Sequence, residues 1–123
     1  QNIGMDTWPM VITSFAWTAM AIGAAEELIF RGALYYIMQS KYVWLSILIT
    51  SLAHAGYKTL LFVSPFAEQT VDTPALFNYT FISGLLLGVM RAYTSSVVPP
   101  LAAHISWDAV VYGDSPIAPW WVW

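Results

Sequence analysis

The chain has 123 residues, of which 59% are hydrophobic and 9% charged, with a mean hydropathy of +0.63 and a formal net charge of −3. Soluble domains average about 45–50% apolar and about 25% charged residues, so four Lys and Arg cannot cover a water-facing surface. With no basic patch a nucleic-acid partner is excluded, and with no cysteine so are disulfides, thiolate metal sites and cysteine nucleophiles.

Four apolar stretches follow in chain order. The chain begins Gln1-Asn2-Ile3-Gly4-Met5-Asp6, without an initiator Met or basic segment. It therefore reads as lacking a signal peptide, and as the C-terminal core of a longer protein. The first stretch runs from about Trp8 to Met38 and carries Glu26, Glu27 and Arg31. At ~1.5 Å per residue it crosses a ~30 Å hydrocarbon core with tilt, or breaks in two near Gly23. The second runs from about Tyr42 to Val63 and contains His54 and Lys58. A loop from Ser64 to Pro74 precedes the third, about Ala75 to Tyr93, where Gly84 and Gly88 have the small-x-x-x-small spacing of close helix packing in lipid. The fourth follows Thr94-Ser95-Ser96 and reaches about Tyr112, with Pro99-Pro100 in its first turn, where missing amide hydrogens cost nothing. The tail to Trp123 is rich in Trp and suits the headgroup level.

The predicted fold is therefore an all-α, polytopic transmembrane helix bundle of about four spans, one core over residues 1–123, in an integral multi-pass membrane protein in contact with lipid. Lys41 and Arg91 fall on one side; Asp6, Glu68, Asp72 and Asp114 fall on the other. The excess of cations on cytoplasmic loops then puts Lys41 and Arg91 in the cytoplasm.

Ionisable groups at mid-membrane depth cost about several kcal/mol each and default to functional hypotheses. Glu26, His54 and His104 each fall near the middle of a different span. Glu27 and Arg31 are spaced i,i+4, so Arg31 neutralises Glu27 and leaves Glu26 free to exchange a proton with water. The plainer reading of the same trio is a buried ionic cluster that holds helices in register. His54 alone reads equally well as a hydrogen bond to a neighbouring helix. His104 and Asp108, again i,i+4, read as an intrahelical pair or as groups aimed into a cavity. Two His and a carboxylate (Glu26, His54, His104) also form a set that holds a divalent metal such as zinc. The H-E-x-x-H and G-x-S-x-G patterns are absent. Leu85-Leu86-Leu87 and Phe15-Ala16-Trp17 read as lipid-facing or packing surface.

Together, three motifs resemble the CPBP family of intramembrane proteases, which includes type II CAAX prenyl proteases and bacteriocin self-immunity proteins. Glu26-Glu27-Leu28-Ile29-Phe30-Arg31 is similar to its Glu-Glu-x-x-x-Arg, continuing into Gly32. Thr50-Ser51-Leu52-Ala53-His54 is similar to Phe-x-x-x-His with Thr50 in place of Phe, and His104-Ile105-Ser106-Trp107-Asp108 to His-x-x-x-Asn/Asp. The resemblance spans about Ala19 to Tyr112 and includes the Gly84, Gly88 and Arg91 helix. It implies an intramembrane endopeptidase, with CAAX-type processing of a prenylated or other membrane-associated peptide as one branch. Glu26 would activate water with help from His54, His104 and Asp108 would stabilise the oxyanion, and Glu27 and Arg31 would support them. No cofactor is required on this reading; a metalloendopeptidase would use the metal set above. The alternative implied by the same family is a catalytically silent membrane subunit in immunity, assembly or a larger complex. A third reading of the residues is a metal-ion or proton pathway.

Overall fold

The computed structural model describes residues 14–39, 42–63 and 71–113. All of its regular structure is helical: α1 (Ser14–Glu27), a π-helical segment (Leu28–Leu34), α2 (Tyr35–Ile37), α3 (Val43–Val63), α4 (Thr73–Thr94) and α5 (Val98–Tyr112). The first three join into one rod, so the described residues form four rods at the places the apolar stretches predict. The tail, Lys41, Asp6, Glu68 and Asp114, on which the tail and topology readings draw, lie outside the described residues.

The first rod does not break near Gly23, where α1 is continuous. The irregularity comes five residues later, where the Tyr35 amide reaches back to the Phe30 carbonyl. Such widened turns favour functional positions; this one begins after Glu27 and contains Arg31. Arg91 braces it from α4: Nε donates to the Arg31 carbonyl at 2.9 Å, and the guanidinium lies 4.7 Å from the Tyr35 ring centre.

Local signals set the other ends. Asp72 caps α4 by accepting from the Ala75 amide at 3.1 Å, with Pro74 in the first turn. Ser95 closes α4 in the left-handed region at φ 54°. Pro99 and Pro100 stand at the start of α5, as predicted.

Packing pairs α3 with α4 and α1 with α5. Gly84 faces Ser51, and Gly88 faces Ile47, so α4 advances four residues as α3 retreats four. The pair is antiparallel, held close by small residues. Gly23 faces His104 and Asp108 while Gly32 faces Val97, so α1 and α5 are antiparallel as well.

The burial pattern is inverted relative to a water-soluble domain. Buried side chains include Glu26, Glu27, Arg31, Ser46, Thr50, Ser51, His54 and Asp108. Leu28, Ile29, Leu60, Ile82, Leu86 and Val110 are exposed. Apolar outside and polar inside is stable where the solvent is hydrocarbon. Among the described residues α3 and α4, at 21 and 22 residues, are long and apolar enough to cross a membrane. The protein is an all-α helical membrane bundle. Hydroxyls on α3 are satisfied by the backbone: Ser51 donates to the Ile47 carbonyl at 2.7 Å, Thr50 to that of Ser46 at 2.8 Å, and Ser46 to that of Met38 at 2.7 Å.

Candidate active site

Three rods each present two polar side chains one helical turn apart: Glu27 and Arg31, His54 and Lys58, His104 and Asp108. One turn keeps each pair on a single face. Antiparallel packing brings the three faces, with Glu26, into one cluster.

Arg31, with no exposed surface, organises it. Its Nη1 donates to Glu27 Oε1 at 3.0 Å and to His54 Nδ1 at 2.8 Å. A guanidinium only donates, so His54 Nδ1 must accept, which places the imidazole hydrogen on Nε2. Nε2–H in turn donates to Glu26 Oε2 at 3.2 Å. Phe30 stacks on the same imidazole with ring centres 4.7 Å apart, fixing its plane. Thr50 spends its hydroxyl on its own helix, and the aromatic ring stacked on His54 belongs to the first rod.

His104 Nδ1 donates to Glu27 Oε1 at 2.8 Å, where the carboxylate paired with Arg31 can only accept. Its Nε2 faces the gap between Glu26 Oε2 at 3.9 Å and Asp108 Oδ2 at 3.7 Å, both beyond hydrogen-bond length. Among the described residues, Glu27 Oε2 and Arg31 Nε and Nη2 have no partner.

The structure therefore brings together all six residues singled out from the sequence: Glu26, Glu27, Arg31, His54, His104 and Asp108. It adds one that motif reading passed over. Lys58 Nζ donates to Glu26 Oε1 at 2.5 Å. Its sequence signal was the repeated i,i+4 spacing, with Lys58 one turn past His54 as Arg31 is one turn past Glu27.

A cavity of about 590 Å³ opens beside the cluster. His54 and Lys58 from α3 and His104 and Asp108 from α5 form its polar wall, and Leu76, Leu86, Leu87 and Met90 of α4 line its apolar side. Glu26 is not on that wall. It lies behind it, 3% exposed, and meets the cavity through Lys58, His54 and His104.

The protein is thus a helical membrane bundle whose polar interior gathers a carboxylate and two imidazoles beside an apolar cavity. A family model, type II CAAX prenyl endopeptidase Rce1-like, matches residues 7–110. The chain belongs to that family. No curated protein and no solved structure matched it in the same comparisons.

Proposed function

We propose that the protein is a multi-pass intramembrane endopeptidase that cleaves a membrane-associated peptide of the prenylated CAAX type. Lipid and that peptide are its partners, with further membrane subunits as an optional third. The observation that carries the reading is the position of Glu26 Oε2, 3.2 Å from His54 Nε2 and 3.9 Å from His104 Nε2. The family's description as prenyl endopeptidases supports the substrate class.

In the proposed reaction Glu26 takes a proton from water as the water oxygen adds to the scissile carbonyl carbon. His104 keeps its Nδ1–H on Glu27 and, carrying a second hydrogen on Nε2 in this step, offers that N–H to the oxyanion. The C–N bond then breaks as the proton on Glu26 passes to the leaving nitrogen. His54 donates to Glu26 and orients it. Arg31 fixes the tautomer in which His54 can do so.

No step of the proposed reaction passes through a metal, because zinc fits these donors poorly. A ligating imidazole offers a lone pair to the metal and donates its other N–H to an acceptor. His54 has the reverse arrangement, with a cation donating to Nδ1 and hydrogen on Nε2. Among the described residues no three His, Asp or Glu side chains hold a metal-site geometry.

The test is cleavage of a farnesylated CAAX-type peptide in liposomes by the native protein and by Glu26→Gln. A loss of about 100-fold or more is expected, the usual contribution of a positioned base. Equal turnover ends the proposal. The second reading, a catalytically silent subunit, draws on the two partners that already hold Glu26 and on its place behind the cavity wall. Absence of cleavage by the native protein, with the bundle folded, favours it.

A further inference from the structure

Lys58 stands between the cavity and Glu26. Among the described residues it is the one lysine or arginine on the cavity wall, and its side chain is 13% exposed. Among the described residues it is also the only lysine or arginine hydrogen-bonded to Glu26, since Arg31 spends its Nη1 on Glu27 and His54, while His104 Nε2 at 3.9 Å lies beyond hydrogen-bond length. Glu26 otherwise has a neutral imidazole on one oxygen and two further carboxylates, Glu27 and Asp108, near His104. A carboxylate buried among carboxylates needs a counter-charge to stay an anion. It also needs two points of attachment to hold one orientation. His54 supplies the contact to Oε2, and Lys58 supplies the contact to Oε1. An ammonium carries three hydrogens and a carboxylate oxygen two lone pairs, so the contact leaves Glu26 able to accept from water.

We infer that Lys58 is a positioning residue for the proposed hydrolysis, holding Glu26 ionised and oriented from the cavity side. The inference rests on the reading of Glu26 as the base. It predicts a loss confined to the chemical step, because Lys58 acts through Glu26 and not on the peptide.

The 123 residues contain no cysteine, so Lys58→Cys introduces a single thiol. Aminoethylation of that thiol rebuilds a side chain of lysine length ending in an ammonium, whereas ethylation gives a neutral one of similar bulk. With a farnesylated CAAX-type peptide in liposomes, Lys58→Cys should lower kcat about 100-fold with KM within about twofold. Aminoethylation should restore kcat to within about tenfold of native, and ethylation should leave it low. Equal recovery by both reagents, a loss that falls in KM, or a rate equal to or above native in Lys58→Cys each overturns the inference. If Lys58→Cys does not fold, Lys58→Arg against Lys58→Met makes the same comparison, with Arg expected to retain the higher kcat and equal kcat overturning the inference. Failure of the native protein to cleave the peptide counts against the endopeptidase reading itself and is seen before any Lys58 variant is compared.

Discussion

Arg31 Nη1 lies 2.8 Å from His54 Nδ1, and the same nitrogen holds Glu27 at 3.0 Å. An always-charged donor thus faces one side of an imidazole whose other side faces Glu26. The ring is left with a single compatible tautomer, hydrogen on Nε2. Solid-state ¹⁵N NMR of the histidines in lipid should show His54 with a bare Nδ1 and a protonated Nε2, the assignment coming from a His54→Gln sample. Hydrogen on Nδ1 would contradict the arrangement.

The same tautomer bears on metal dependence. A bare Nδ1 against a guanidinium leaves no Nε2 lone pair for zinc. Peptide cleavage should therefore survive exhaustive chelation with its rate unchanged within about twofold. Loss of activity that returns only when zinc is added back would overturn the metal-free proposal.

Gly23 sets how closely α1 approaches α5. A Cβ there would collide with Asp108 Oδ2 and sit 3.2 and 3.3 Å from His104 Cδ2 and Nε2. Gly23→Ala should destabilise the bundle by about 1–3 kcal/mol, the cost of overpacking, and lower the cleavage rate by displacing His104. Asp108→Ala in the same chain should recover part of the stability, since contacting residues are non-additive. Gly56 is the control: a Cβ there meets nothing within 4 Å. Gly56→Ala should leave stability unchanged or raise it by up to about 1 kcal/mol. Unfolding in mixed micelles reads all three.

Arg31 should dominate stability more than any other polar residue of the cluster. Its side chain is fully buried and the Glu27 carboxylate against it is fully buried too. Arg31→Met leaves that charge facing only His104 and should cost about 3–5 kcal/mol. Glu27→Gln added to Arg31→Met should return part of the loss. A strictly additive double variant in the same unfolding assay would show that the two do not act as a pair.

Gly84 makes room for that guanidinium: a Cβ would lie 2.8 Å from Arg31 Nη2 and 3.1 Å from the Ser51 Cβ. Gly84→Ala should therefore cost about 1–3 kcal/mol and weaken the α3–α4 contact. An unchanged unfolding midpoint would show that α4 can shift to admit the methyl group.

Membrane residence, the four rods and the identity of the six candidate residues were readable from the sequence. Hydrophobic length marks a span whatever its neighbours do, and i,i+4 spacing places Glu27 with Arg31 and His104 with Asp108 on one face because the helix itself dictates it. The position of the irregular turn was not readable: Gly23 suggested a break, but α1 needs that glycine for proximity to α5, and the widened turn comes at Leu28–Leu34, braced by Arg91 from another rod. Distances between rods also lay beyond the one-dimensional pattern. The tautomer of His54, the attachment of Lys58 to Glu26 and the withdrawal of Glu26 behind the cavity wall depend on which side chains from separate helices meet. Helical periodicity relates residues within a rod, whereas contacts between rods follow from close packing at Gly23, Gly84 and Gly88, and only the assembled bundle specifies them.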